Sequence, residues 1–221
     1  MDCQHVKATK IFLYIWILPT ILFAQENKLA IGITVSPSFY TVTSETGFNH
    51  HYASEPGFRG GVDLSFHLSR KSILTTGVYY SSVGYKVEYN YILNDPGDPA
   101  IPRSGDINAG YVDIPIAYNF NFISKEKLIL YISSGIISSM LISSDDKTTF
   151  EDNSIRSSGY LNSFLLSLQL GIGFRYNISD RLGIKIEPQY QFFMEGIDKM
   201  MNQHPASFNI ALGIVYGLKS K

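Results

Sequence analysis

From residue 29 onward the chain repeats one pattern. Runs of about ten residues or more, the length of a spanning barrel strand, place large apolar side chains at every second position. Small or polar residues stand between them. The clearest run is Leu166 to Asn177. One set reads Leu166, Leu168, Leu170, Ile172, Phe174 and Tyr176; the other reads Ser167, Gln169, Gly171, Gly173, Arg175 and Asn177. A period of two is the period of a β-strand. An apolar face ending in aromatics, opposite a small and polar face, is the pattern of a strand that spans a bilayer within a barrel.

Eight such strands are predicted: Leu29 to Val42, Phe58 to Ser69, Ile73 to Glu88, Gly110 to Phe122, Leu128 to Ile142, Ser163 to Ile178, Leu182 to Phe193, and Ser207 to Leu218. The links alternate in length. Short ones lie at Arg70-Lys71, Ile123 to Lys127 and Ser179 to Arg181. Long ones lie at Thr43 to Gly57, Tyr89 to Ala109, Ser143 to Asn162 and Met194 to Pro205. Short turns on the periplasmic side and long loops outside are the layout of an outer-membrane barrel. An even strand number returns both ends to the periplasm.

The faces choose between membrane and water. In the second strand Phe58, Val62, Leu64, Phe66 and Leu68 oppose Arg59, Gly61, Asp63, Ser65 and His67. In the fourth, Val112, Ile114, Ile116, Tyr118 and Phe120 oppose Asp113, Pro115, Ala117 and Asn119. In the eighth, Phe208, Ile210, Leu212, Ile214 and Tyr216 oppose Asn209, Ala211, Gly213 and Gly217. The interior of an eight-stranded barrel holds side chains or one small ligand. Bulk from eight strands fits that interior poorly and fits lipid well. The prediction is an all-β, eight-stranded antiparallel up-and-down transmembrane barrel rather than a soluble lipocalin-like one. Unpaired backbone costs several kcal/mol per group in hydrocarbon, so the first strand must pair with the eighth. Tyr118, Phe120, Tyr176 and Tyr216 belong to a periplasmic-side aromatic girdle, Tyr190 and Phe192 to an outer one.

The N-terminus reads as a secretory signal, residues 1–24, followed by one barrel domain over residues 25–221. Lys7 and Lys10 precede an apolar run from Ile11 to Phe23, and Ala24 supplies the small residue at the cleavage point. The run is short of the roughly 20 residues that a spanning helix needs. Cys3 precedes this run instead of closing it, which argues against a lipid anchor. Cleavage would remove Cys3 and Trp16, the one Cys and one Trp of the chain. That excludes disulfides and thiolate chemistry from the barrel. Formal net charge is −1, and no Lys/Arg run points to nucleic acid. The 15 Tyr, 14 Phe and 17% charged residues suit an apolar wall with aromatic rims.

Four stretches resemble the small outer-membrane β-barrel family of Gram-negative bacteria that includes PorT-type proteins. They are Thr76-Gly77-Val78-Tyr79-Tyr80 with Gly84-Tyr85-Lys86; Tyr111-Val112-Asp113-Ile114-Pro115-Ile116; Tyr131-Ile132-Ser133-Ser134-Gly135; and Gly171-Ile172-Gly173-Phe174-Arg175-Tyr176. The second, with an acid followed by Ile-Pro, is the most specific. The resemblance implies an outer-membrane location. Some family members assist protein secretion. One departure is the end Tyr216-Gly217-Leu218-Lys219-Ser220-Lys221, where such barrels often finish on an aromatic.

Among residues that could carry chemistry, the alternation turns Arg59, Asp63, His67, Asp113, Arg175, Lys185 and Glu187 inward. Buried charges need partners, and the expectation is a structural charge network filling the lumen, with Arg175 and Glu187 on adjacent strands as an ion pair. A proton or ion path is the functional alternative. His50, His51 and His204 fall in loops that barrel closure brings together, but their spacing matches no metal motif. Asn94 to Pro99 reads as turn chemistry. Asp145, Asp146, Glu151 and Asp152 lack the calcium-loop pattern. Met194, Met200 and Met201 with Ile197 form an apolar loop cluster suited to packing or contact.

No Gly-x-Ser-x-Gly, His-Glu-x-x-His or phosphate loop occurs. The expected function is therefore non-enzymatic: a monomeric barrel in outer-membrane lipid, without cofactor or metal, that binds through its long loops or periplasmic rim, as an envelope or secretion component with a protein partner. A lipid-modifying enzyme and a narrow solute channel are the alternatives. A wide porin is excluded, because its pore needs 16–18 strands.

Overall fold

The computed structural model describes residues 29–44, 51–54, 56–88, 104–150, 154–157, 161–197 and 203–218. The predicted signal segment, His50 and Asn94 to Pro99 lie outside them. Among the described residues there are ten strands: β1 (Leu29–Ser44), β2 (His51–Ser54), β3 (Pro56–His67), β4 (Ser72–Glu88), β5 (Ser104–Ser124), β6 (Leu128–Thr149), β7 (Ser154–Ser157), β8 (Phe164–Asn177), β9 (Leu182–Phe193) and β10 (Gln203–Gly217). Eight of them form a ring in the order β1-β3-β4-β5-β6-β8-β9-β10, antiparallel throughout. The ring closes where β1 pairs with β10, from Ala30 opposite Gly217 to Ser44 opposite Gln203. Hydrocarbon demands this closure, because an open sheet edge would leave backbone groups without partners.

Alternation sorts the side chains as the pattern predicts. Ile33, Val62, Val78, Ile116, Ile132, Leu170, Ile172 and Ile214 face outward and are among the most exposed apolar residues. Their lumenal neighbours Thr34, Asp63, Tyr79, Ser133, Gln169 and Glu187 are buried. Exposed Tyr118, Phe120, Phe122, Tyr176 and Tyr216 cluster toward the short-turn end. Phe39, Phe58, Tyr80, Phe164, Tyr190, Phe192 and Phe208 ring the other. Two short turns are built alike. Ser69 Oγ accepts from the backbone N–H groups of Lys71 and Ser72, and Ser179 Oγ from those of Arg181 and Leu182. A serine hydroxyl closing its own turn is why such links can be short.

The long-link end differs from expectation. Strand β6 runs to Thr149 instead of stopping at Ile142, and β5 starts at Ser104 instead of Gly110. The stretches expected as loops also hold β2, paired with the end of β4, and β7, paired with the end of β6. For β6 the physical reason sits at Ile142. It is the extra residue of a β-bulge between the Gly110–Ser143 and Tyr111–Leu141 pairs. A bulge shifts the inside–outside parity by one, so the alternation breaks in sequence while the ladder continues.

Above this level the polarity of the wall inverts. Val83, Val87, Ile107, Ala109 and Tyr111 point inward and are buried. Lys86, Glu88 and Asn108 point outward into solvent, with Lys86 Nζ 3.9 Å from Asp106. This is the arrangement of a water-soluble sheet. The change marks where the wall leaves lipid.

Candidate functional site

The lumen has two storeys. The lower holds the inward charges, with buried Ala30, Ile73, Ile129 and Val215 nearest the short turns. The upper is apolar: Tyr40, Val83, Val87, Ile107, Ala109, Tyr111, Leu161, Leu165, Phe193 and Ile197 form one buried cluster. Ile197 and Leu161 come from the connecting segments rather than the wall. Asn162 holds them. Its backbone N–H donates to Ile197 O (2.8 Å), its side-chain amide donates to Gly196 O (2.6 Å), and Tyr111 Oη donates to its carbonyl (3.4 Å). The barrel is therefore plugged by hydrocarbon on its outer side. Of the predicted Met cluster, Met194 is exposed and Ile197 is in the plug; Met200 and Met201 lie outside the described residues.

In the lower storey the inward charges meet across the lumen. Lys185 Nζ lies 2.8 Å from Asp63 Oδ2, which also accepts from Thr34 Oγ1 (2.6 Å) and Tyr79 Oη (2.9 Å). Lys185 is on β9 and Asp63 on β3, with β10 and β1 between. The reach is possible because the intervening wall is glycine: a Cβ on Gly213 would strike the Lys185 stem, and one on Gly32 would strike the Asp63 carboxylate. These are two positions where only hydrogen leaves room.

Arg59 and Asp113 form a second pair, Nε to Oδ2 3.1 Å. The alignment is poor for a hydrogen bond, so the contact is chiefly one of charge. The guanidinium carbon stands 4.4 Å from the centre of the Tyr79 ring, and Nη1 donates to Gln169 Oε1 at 3.4 Å. A cation over an aromatic face adds attraction where water is scarce. Glu187 accepts from Tyr131 Oη (2.8 Å) and from Ser133 Oγ (2.5 Å), across β8. The Tyr131 ring lies over Gly173, where no Cβ would fit.

The expected Arg175–Glu187 pair does not form. The register sets Arg175 opposite Lys185, and Glu187 sits opposite Ala211 on one side, turned toward Tyr131 and Ser133. Adjacent strands gave the right neighbourhood, but the register set Arg175 beside Lys185 instead. Asp63, Arg59, Asp113, Lys185 and Glu187 thus stand in three separate contacts, and His67 lies at the periplasmic end of β3. Sequence reasoning missed Thr34, Tyr79, Tyr131, Ser133 and Gln169 as members. The available signal was a tyrosine placed inward on a face otherwise made of glycine and serine.

Around these residues lies a cavity of about 60 Å³. It is enough for a few water-sized molecules, each needing about 10–15 Å³ by this measure. Among the described residues no group of three His, Cys, Asp or Glu could hold a metal ion. His51 and His204 lie on β2 and β10, where His51 pairs with Glu88 and His204 with Thr43 through the backbone.

Residues 23–218 match the family model described as "Outer membrane protein beta-barrel domain". No curated protein matches the chain. Among solved structures, Neisserial surface protein A is similar at 10% identity over 86% of this chain and 97% of that one, with a TM-score of 0.48. Ail, the attachment invasion locus protein of Yersinia pestis, is similar at 14% identity over 87% and 100%, TM-score 0.43. The outer membrane protease OmpT from Escherichia coli is similar at 7% identity over 89% and 100%, TM-score 0.45.

Proposed function

This chain belongs to the outer membrane protein beta-barrel domain family, and from that premise we propose a non-enzymatic envelope component that binds a protein partner at its outer rim. Its location is the outer membrane. The observation that carries the reading is the inversion of wall polarity above Tyr111. Strands β4, β5 and β6 continue past the lipid belt as a sheet, apolar within and polar without, and β2 and β7 are added to it. Backbone pairing and a buried cluster make this rim a stable platform, which binding requires and passage does not. The apolar plug supports binding over solute flow, since a hydrocarbon constriction resists wetting.

The test is cross-linking in intact cells, followed by purification of a copy tagged in an outer loop. A near-stoichiometric protein cross-linked through β2, β7 or the adjoining loops is the expected result. Cross-links confined to the Ser69 and Ser179 turns would move the contact to the periplasmic rim and overturn the rim assignment. Altered lipid A in deletion and overexpression strains, read by mass spectrometry, would replace binding with catalysis. Stepwise current in a planar bilayer would replace it with conduction.

A further inference from the structure

The lower lumenal cavity has a chemical bias that the charge network does not use. Among the described residues, Arg175 has no carboxylate within salt-bridge distance and donates no hydrogen bond, and its Nε is buried without a partner. Arg59, which is 7% exposed, lines the same cavity, and its Nη2 is likewise buried without a partner. Lys185 lines it too and stands directly opposite Arg175 in the β8–β9 register. Like charges set side by side on a sheet repel. Glu187 lines the cavity as well, but its carboxylate is taken by two neutral donors, Tyr131 and Ser133. Buried guanidinium donors left unmade are costly, and the two arginines that carry them line one space.

We propose that this cavity is a binding site for a small oxyanion of carboxylate or phosphate type, held between Arg175 and Arg59. A guanidinium presents a planar fork that matches the oxygens of such an ion. Access is from the periplasm. Thr75, Asn119, Arg175 and Lys185 are only half-buried on that side, while the apolar cluster under Ile197 shuts the other. The site is a blind pocket, so it takes up an ion without passing it on. The closed sheet keeps lipid head groups out, which leaves a free periplasmic ion as the source. This inference stands independently of the partner at the outer rim.

The experiment is calorimetric titration of the folded protein in a phosphate-free sugar detergent, with inorganic phosphate and then formate, at constant ionic strength. Saturable binding near one ion per barrel is expected. Arg175→Gln should weaken it about tenfold or more, the size of one charge-assisted hydrogen bond. Arg175→Lys, which keeps charge but loses the fork, should fall between. Arg181→Gln, on an exposed turn at the same end, should leave binding unchanged. Heat-modifiable gel migration reports that each variant is folded. Absence of saturable binding to the wild-type protein would overturn the site, as would equal binding by folded Arg175→Gln or an equal response to chloride.

Discussion

Replacing Lys185 by Met separates the charge of the lumenal network from its packing. Met keeps an unbranched stem to lie over Gly213 but removes the ammonium 2.8 Å from Asp63. Asp63 is fully buried. Removing one partner of a buried ion pair costs about 3–5 kcal/mol, because the other charge is left uncompensated. Thr34 and Tyr79 still donate to Asp63 Oδ2, and hydrogen bonds to a charged group are worth about 1.5–3 kcal/mol each. The expected loss is therefore near the lower bound, about 3 kcal/mol. Asp63→Asn alone leaves the ammonium unpaired, but the Lys185 side chain keeps 12% exposure, so its loss should be smaller. The double variant should cost less than the two singles together, with a coupling of about 2 kcal/mol for groups in direct contact. Reversible urea unfolding in lipid vesicles measures all four states. Circular dichroism and gel migration are the suitable probes, since Trp16, the one tryptophan, lies in the predicted signal segment. If the single losses add to within about 0.5 kcal/mol, the pair contributes no interaction energy, and the account of the lumen as a charge-paired core is refuted.

Two further outcomes follow from the wall. Gly173→Ala puts a methyl group into the Tyr131 ring and should displace that ring from Glu187, at about 1–3 kcal/mol, the usual cost of overpacking; Gly60→Ala, which meets only ordinary contacts at 3.4 Å or beyond, serves as the control, and equal losses would discredit the packing argument. Leu170→Arg, on an outward side chain that is 60% exposed, should cost about 2–4 kcal/mol in vesicles if it sits near the bilayer midplane; a neutral result would mean that this face does not meet lipid.

Much of this architecture could be read from the order of residues. Strict alternation in Leu166 to Asn177, Phe58 to His67 and Gly110 to Phe122 assigns each side chain to lipid or lumen without reference to any other strand. Hydrocarbon then forces closure, so the ring of eight follows from eight apolar faces. The same logic places Arg59, Asp63, Asp113, Arg175, Lys185 and Glu187 inside. It is silent on who meets whom. A period of two specifies a face, whereas register, tilt and the width of the lumen specify distance. Lys185 reaches Asp63 across two intervening strands because Gly213 and Gly32 leave a path, while Arg175, one strand from Glu187, does not pair with it. The outer rim escaped for a related reason. The pattern reports a strand only while its two faces differ in a constant sense. At Ile142 a bulge shifts the parity, and above Tyr111 lipid gives way to water, so the apolar set moves inside. The sequence alone determined that this chain forms a barrel in a membrane, because bilayer and pleat act on each residue locally. Only the tertiary structure decided which charges pair, where the plug sits and how far the wall rises, because those depend on side chains that meet across the lumen.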